Sequence, residues 1–303
     1  MTDVVPEISI VIAWQKSQLD ATACLDSLFN QKTFHRFEVI LIYGGFNPNL
    51  DAFTQRYPKV KIAAHPDSSS IPKLHGLGIE MSSAPLIAIT EAHTTFAQNW
   101  IDTAILVSAE NDAAATGGVV DPGPALTGVD FALYLCDYVQ FARPLESEVS
   151  DDLPGNNIVF KRSAIQHLLA QKDLRSDGFW KTFFCYELMK EGKVLRRDSR
   201  LVAYYNRHLS FVDVLTRRYN HGRCFGAMRS SDFSFSKKAG YATACIALPP
   251  VLHARLFQRI KTKRHLLNRY FMVQAVCHSI IQAWVVGEYA GTVSGAGESC
   301  SEL

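Results

Sequence analysis

The sequence predicts an α/β fold built on a doubly wound, mostly parallel sheet. Three observations predict it. Residues 8–13, 38–43, 60–64 and 86–89 are short apolar runs of strand length, as strands covered on both faces must be. Between them lie stretches with helical spacing of apolar residues, giving β-α-β-α-β-α-β over the first 90 residues. Two of these runs also stop abruptly, the second at the turn Gly44-Gly45 and the fourth at Thr90-Glu91-Ala92-His93.

Each element has its own signal. After the first strand, Ser17-Gln18-Leu19-Asp20 resembles a capping box, and Ala21, Leu25, Leu28 and Phe29 continue it as a helix. Asn47-Pro48 reads as a cap and first-turn proline for a helix reaching about Tyr57, and Ser70-Ile71-Pro72 opens another lasting to Ser82. A helix over 99–109 leads to a strand at 114–120, which Pro122, Gly123 and Pro124 terminate. Residues 129–142 form an aromatic-rich helix, and the acidic stretch 144–155 reads as a mobile loop. A strand at 158–161, a helix from Ser163 and a helix over 179–191 follow. Gly155-Asn156-Asn157 suits a tight turn, with asparagine tolerating left-handed backbone, and two amides at a strand mouth equally suit a hydroxyl-rich ligand.

Composition narrows the classes. Hydrophobic content of 48% with 20% charged residues supports a packed core and excludes wholesale disorder. The seven scattered cysteines form no C-x-x-C pair and read as reduced thiols, which supports neither a zinc site nor a disulfide framework. No basic segment followed by an apolar core opens the chain, so the expected location is cytoplasmic. There is no G-x-G-x-x-G and no G-K-[ST], hence no dinucleotide fingerprint or phosphate loop. No nucleic-acid motif is present and the net charge is only +2.

The stretch 84–100 concentrates the chemistry. Its strand breaks off at Thr90-Glu91-Ala92-His93, and in open α/β sheets ligands collect just past the carboxyl ends of strands. Glu91 and His93, two apart on extended chain, project to one side, and both side chains ligate divalent ions. The plain alternative is a helix-capping acid and a surface histidine.

Taken together, several motifs in order resemble the family 2 inverting glycosyltransferases of the GT-A fold over about residues 7–230. The pieces are Ile8-Ser9-Ile10-Val11-Ile12 with Cys24-Leu25-Asp26-Ser27-Leu28, Phe37-Glu38-Val39-Ile40, and Lys73-Leu74-His75-Gly76-Leu77. Thr90-Glu91-Ala92-His93, Asn99-Trp100-Ile101, Leu153-Pro154-Gly155-Asn156-Asn157 and Gly178-Phe179-Trp180 follow. The resemblance implies a nucleotide-diphospho sugar donor, with Mg²⁺ or Mn²⁺ held at the D-x-D position, which here is Glu91-Ala92-His93. It places Lys73 near the donor phosphates, and Gly155, Asn156, Asn157 and Trp180 on the acceptor side. Three departures stand out. Tyr43 occupies the position of a base-reading Asp, where it stacks on the nucleobase or simply packs; Ala13 replaces a proline; and Lys181 stands where the general base is expected. A protonated lysine cannot accept the acceptor's hydroxyl proton. Asp177 and Glu187 are the substitutes, with a solvated surface acid as the alternative for each.

The C-terminal third departs in character. The helix from Ser210 to Met228 contains Tyr219-Asn220-His221-Gly222-Arg223, which resembles a Y-G-R-like helix of a bacterial branch of this family, so Arg218 and Arg223 are candidate diphosphate clamps or parts of a basic exposed face. Residues 233–287 contain no Asp or Glu. The apolar run 270–286 is interrupted by Gln274, His278, Ser279 and Gln282, which fits an interfacial membrane helix; packing against the sheet domain or a second subunit, and a true span, are the other readings. The expected organisation is a transferase domain over 1–230, a basic and apolar helical region over 231–293, and a disordered tail over 294–303. The expected activity is metal-assisted inverting sugar transfer to a hydroxyl or lipid-linked acceptor, such as a cell-envelope polysaccharide precursor, at the inner face of the membrane. The competing expectation is a non-catalytic sugar-binding or scaffolding partner of an active transferase.

Overall fold

A computed structural model describes residues 5–15, 21–66, 68 and 70–301. The capping box proposed at Ser17–Asp20 lies outside the described residues. The chain divides into two compact units, residues 1–123 with 141–206, and residues 124–140 with 207–303.

The first unit begins with β1 (Ile8–Gln15), α1 (Thr22–Phe29), β2 (Phe37–Gly44), α2 (Leu50–Arg56), β3 (Val60–Ala64), α3 (Ile71–Met81), β4 (Leu86–Glu91), β5 (Thr94–Phe96), α4 (Trp100–Ala109) and β6 (Ala115–Pro122). After α5 (Gly128–Tyr138), which belongs to the second unit, it resumes with β7 (Glu148–Val149), β8 (Ile158–Lys161), α6 (Arg162–Leu169), α7 (Leu174–Asp177), α8 (Lys181–Lys190) and β9 (Leu195–Tyr205). The strands make one nine-stranded sheet among the described residues, in the order β3-β2-β1-β4-β8-β6-β9-β5, with β7 on β9. β1 to β4, β6 and β9 run one way, while β5, β7 and β8 run against them. The doubly wound, mostly parallel sheet is therefore the observed fold.

Alternation along the strands builds two cores. Val11, Ala13, Ile40, Ile42, Ile87 and Ile89 face one side, where Leu74, Leu77, Phe179 and Phe184 cover them. Ile8, Ile10, Ile12, Val39 and Leu41 face the other, under Leu25, Leu28, Trp100 and Ile101. Each such fully buried side chain contributes on the order of 1.5–3 kcal/mol. The helix over 179–191 is shorter at both ends than its pattern suggests, because Trp180 holds extended backbone at the cap position of α8.

The sequence carries no signal for β5, β7, β9 or the single-turn α7. β9 has charged residues at 196–198 and 200 that mask its strand character, and β5 is too short to register. The acidic stretch 144–155 is partly tied down, since β7 pairs with Arg196 and Arg197 of β9.

The second unit is helical: α5, α9 (Phe211–Arg229), α10 (Phe235–Ala244), α11 (Leu248–Lys261) and α12 (Arg264–Ser294). α12 and α9 touch backbone to backbone. A Cβ on Gly222 or Gly226 would meet the Trp284 or Glu288 carbonyl oxygen at 2.2 or 2.3 Å, and one on Gly287 or Gly291 the Tyr219 or Arg223 carbonyl at 2.1 or 1.9 Å. The glycine of the Tyr219–Arg223 motif thus serves helix packing. Residues 295–301 are not a loose tail: they form turns, and Cys300 is bonded to Cys224, which corrects the expectation of reduced thiols at those two positions.

Candidate functional site

The turn in strand order places the site. The chain winds outward from β1 to β2 to β3, then returns to add β4 on the other side of β1. Ligands in such sheets bind beyond the carboxyl ends at this reversal. At that level Ala13 of β1 pairs with Glu91, the last residue of β4, and the ladder continues with the Ala92 amide donating to the Ala13 carbonyl. On the far side of β1, Trp14 pairs with Tyr43 of β2. Two strand spacings separate Tyr43 from Glu91, roughly 10 Å.

Glu91 and His93 stand side by side, with Oε2 of the acid 3.6 Å from Nδ1 of the imidazole. Their side chains are only 12% and 3% exposed, so the pair is buried at the strand ends and is not a surface patch. The backbone around them is fixed from several directions. The Thr90 hydroxyl donates to the Asn156 carbonyl (2.8 Å), the Asn156 side-chain amide donates to Thr94 Oγ1 (3.1 Å), and the Asn206 amide donates to the His93 carbonyl (3.0 Å). The ring of Tyr205 meets that of His93 edge-on at 4.9 Å. From α3, buried His75 donates through Nε2 to the Thr90 carbonyl (2.8 Å). Burial holds His75 below the ordinary imidazole range, against the hydrogen bond to Thr90 and the charge of Glu91, so it is neutral near pH 7.

The donor chemistry fits a divalent ion at two points. Ligands at about 2.0–2.2 Å on one ion stand roughly 3–3.5 Å apart, close to the separation seen here. Carboxylate with imidazole is a set that Mn²⁺ accepts more readily than Mg²⁺. No cluster of three potential ligands occurs among the described residues, so the rest of any coordination sphere would come from elsewhere. A cleft of about 490 Å³ in the first unit lies elsewhere, lined by Asp26, Phe29, Arg56 and Tyr57.

The segments around Lys73 and Trp180 are brought together. Gly178, at φ +77°, lies so close to the first turn of α3 that a Cβ there would meet Pro72 and the Lys73 amide at 2.9–3.0 Å. The Phe179 amide donates to the Pro72 carbonyl, so the backbone segments that carry half-exposed Trp180 and half-exposed Lys73 are joined there. Tyr43 is half-exposed and edge-on to Phe46, in an aromatic wall with Trp14 and Phe53.

Other expected residues sit differently. Asn157 is wholly buried and gives all its amide atoms to the fold: its oxygen accepts from Trp100 Nε1 (2.8 Å), and its nitrogen donates to the Val119 and Leu201 carbonyls. These carbonyls flank the register shift between β6 and β9, so Asn157 repairs an irregular ladder and offers no atom to an acceptor. Asn156 is equally buried; its side-chain oxygen meets no donor among the described residues. Neither asparagine uses left-handed backbone. Gly155 is half-exposed, and its Cβ position is open.

Lys181 reaches back to the loop before Gly155, donating to the Leu153 carbonyl (2.6 Å) and lying 3.3 Å from Asp152. Glu187 is paired with Lys190 on the surface of α8. Asp177 is exposed at the end of α7, its carbonyl accepting from Trp180 Nε1. Arg218 and Arg223 belong to the second unit and are engaged there, Arg218 with Asp137 and the Trp284 ring, Arg223 with the Gly295 carbonyl. Their chemistry is that of helix fastening.

Tyr205 and Asn206 at the carboxyl end of β9, and Asp121 at that of β6, which accepts from the Arg143 amide and guanidinium, carry no site signal in the sequence. Tyr205 and Asn206 become visible only once β9 is placed in the sheet, and Asp121 is hidden beside the Pro-Gly-Pro turn.

No family model and no curated protein matches the chain. Among solved structures it is similar to a mannosyltransferase from Pyrobaculum calidifontis in complex with GDP-Man and Mn²⁺, with 14% identity and a TM-score of 0.56, over 94% of this chain and 87% of that one. It is also similar to residues 1–349 of S. aureus TarS in complex with UDP-GlcNAc, with 13% identity and a TM-score of 0.50, over 94% and 91%. At these identities the likeness is one of fold.

Proposed function

We propose that this chain is a glycosyltransferase that moves a sugar, with inversion, from a nucleotide-diphospho sugar to a hydroxyl acceptor such as a polysaccharide or lipid precursor of the cell envelope. The observation that carries the reading is the Glu91–His93 pair at the strand-order reversal of a sheet shared with structures that hold GDP-Man or UDP-GlcNAc. Glu91 and His93 would hold Mn²⁺ or Mg²⁺, which neutralises charge on a leaving diphosphate when bound. Lys73 adds a point charge for phosphate, and Tyr43 offers an aromatic face to a nucleobase across roughly 10 Å of sheet.

On the acceptor side Trp180 and Gly155 remain, since Asn156 and Asn157 are buried. Asp177 is the better candidate base, because Glu187 is already paired with Lys190. A specific observation favours a second reading, a non-catalytic sugar-binding or scaffolding partner of an active transferase: Lys181 is committed to the Leu153 carbonyl and carries no base function.

Turnover of UDP- and GDP-sugars with Mn²⁺, compared between the natural chain and the Glu91→Ala/His93→Ala double variant, separates the two. Loss of turnover in the variant is the expected result. Equal background turnover in both, with donor binding retained, would leave only the binding role. Inversion is checked by the anomeric configuration of the product.

A further inference from the structure

The hairpin of α11 and α12 carries a surface whose charge and apolarity point to one kind of partner. Between Asp232 and Glu288 the chain has no acidic residue. The structure sorts the cations of that interval. Lys263 is buried, Arg259 donates to Gln140, and Arg269 is turned onto the Leu126 carbonyl and the Phe131 ring. Arg255, Lys261 and Arg264 remain exposed near the hairpin, with no ion pair among the described residues.

Beside them stand exposed apolar side chains. Phe257 is 42% exposed, Phe271 51% and Met272 77%. The two phenylalanines belong to one edge, because the ring of Tyr270 lies 6.3 Å from Phe257 and 5.4 Å from Phe271. Exposed aromatic and thioether groups gain little from the phosphates of a nucleic acid. A bilayer interface accepts both features at once.

By length and composition α12 could cross a membrane. Its second half is not free to do so. It is locked to α9 through the reciprocal glycine contacts, and it buries Glu288 against Tyr241 and Trp284. Only the outward face of its first half is left for lipid.

We propose that the α11–α12 hairpin is a docking surface for an anionic phospholipid bilayer. Arg255, Lys261 and Arg264 meet the headgroups, Phe257, Phe271 and Met272 enter the interface, and α12 stays within its helical unit. The proposal stands apart from the sugar-transfer reading, since none of these residues has a place in that site.

The full chain is floated with phosphatidylcholine vesicles, with and without phosphatidylglycerol. Binding is expected only to the anionic vesicles and is expected to be released by high salt. The variant Arg255→Gln/Lys261→Gln/Arg264→Gln should partition about a hundredfold more weakly, at about fivefold per cation. Phe271→Ser/Met272→Ser should bind more weakly while keeping the salt dependence. Circular dichroism and thermal unfolding check that both variants fold. Equal binding to neutral vesicles, unchanged binding of the charge variant, or release by detergent alone would each overturn the proposal. So would retention on DNA without flotation.

Discussion

Glu38 and Glu91 sit at opposite ends of neighbouring parts of one sheet, and their surroundings differ. Glu38, near the amino end of β2, accepts from the Ser9 hydroxyl, the Ser83 amide and hydroxyl, and Lys61. Burial alone would raise its carboxyl, yet Lys61, Ser9 and Ser83 together hold it down at about 2. Glu91, at the carboxyl end of β4, faces the His93 imidazole 3.6 Å away. The first acid is surrounded by donors that the fold supplies permanently, so its role is to fasten strand ends. The second stands beside an imidazole on backbone held from several sides, the arrangement the proposed function needs where the charge to be met arrives with a substrate.

The largest expected effect breaks that contrast directly. Glu91→Gln should lower sugar-transfer turnover by at least about a hundredfold, roughly 2.7 kcal/mol in the barrier, because an amide is a poor ligand for a hard cation. Glu38→Gln should leave turnover within a few-fold while lowering the thermal midpoint. Loss of activity in both, or in neither, would dissolve the distinction.

A second expectation concerns Asn157, which looks like a site residue in the sequence. Asn157→Ala strands the Trp100 indole N–H and the Val119 and Leu201 carbonyls in the core, and should destabilise the protein by about 2–3 kcal/mol. At temperatures where the variant is folded, its KM for acceptor should match that of the natural chain. A selective rise in KM without loss of stability would return Asn157 to the acceptor side.

How much of this was legible follows from which forces act locally. β1 to β4 were legible because each is buried on both faces and written in apolar residues, and Glu91–His93 was legible because it interrupts such a run. β9 was not. Arg197, Asp198 and Arg200 are spent on Glu148, Glu110 and one another, and residues 199–201 leave the ladder with β6. With β9 hidden, Tyr205 and Asn206 had no strand end to belong to. Asp121, next to Pro-Gly-Pro, read as an ordinary turn acid. Asn156 and Asn157 misled for a related reason: two amides before a strand look available to ligand until the orphaned carbonyls of a distant register shift are known.

Glu38 also sharpens the comparison through pH. Its folded carboxyl titrates near 2, below the ordinary value of 4.5, so its contribution is present above about pH 4.5 and disappears as the pH falls toward 2. After allowance for solvent screening this amounts to about 2 kcal/mol. In urea unfolding, the gap between the natural chain and Glu38→Gln should be widest near neutrality and close across that acid range. A gap that persists to pH 2 would mean that Glu38 acts through packing and not through charge.

The smallest expected effect lies under the site itself. His75 is neutral when folded because burial depresses its imidazole below the ordinary 6.5, whereas the unfolded chain takes up a proton near that value. Below about pH 6.5 the unfolded state therefore binds more protons, and stability falls until the folded imidazole also titrates. His75→Gln keeps a donor for the Thr90 carbonyl without titrating, so it should remove this decline while costing about 1 kcal/mol at neutral pH. Because the bond from His75 holds the residue before Glu91, the protection factors of the Thr90 and Glu91 amides, corrected for the intrinsic pH dependence of exchange, should fall on acidification in the natural chain and stay flat in the variant. Parallel acid sensitivity in both proteins would show that the end of β4 is held by the Asn156 contacts alone.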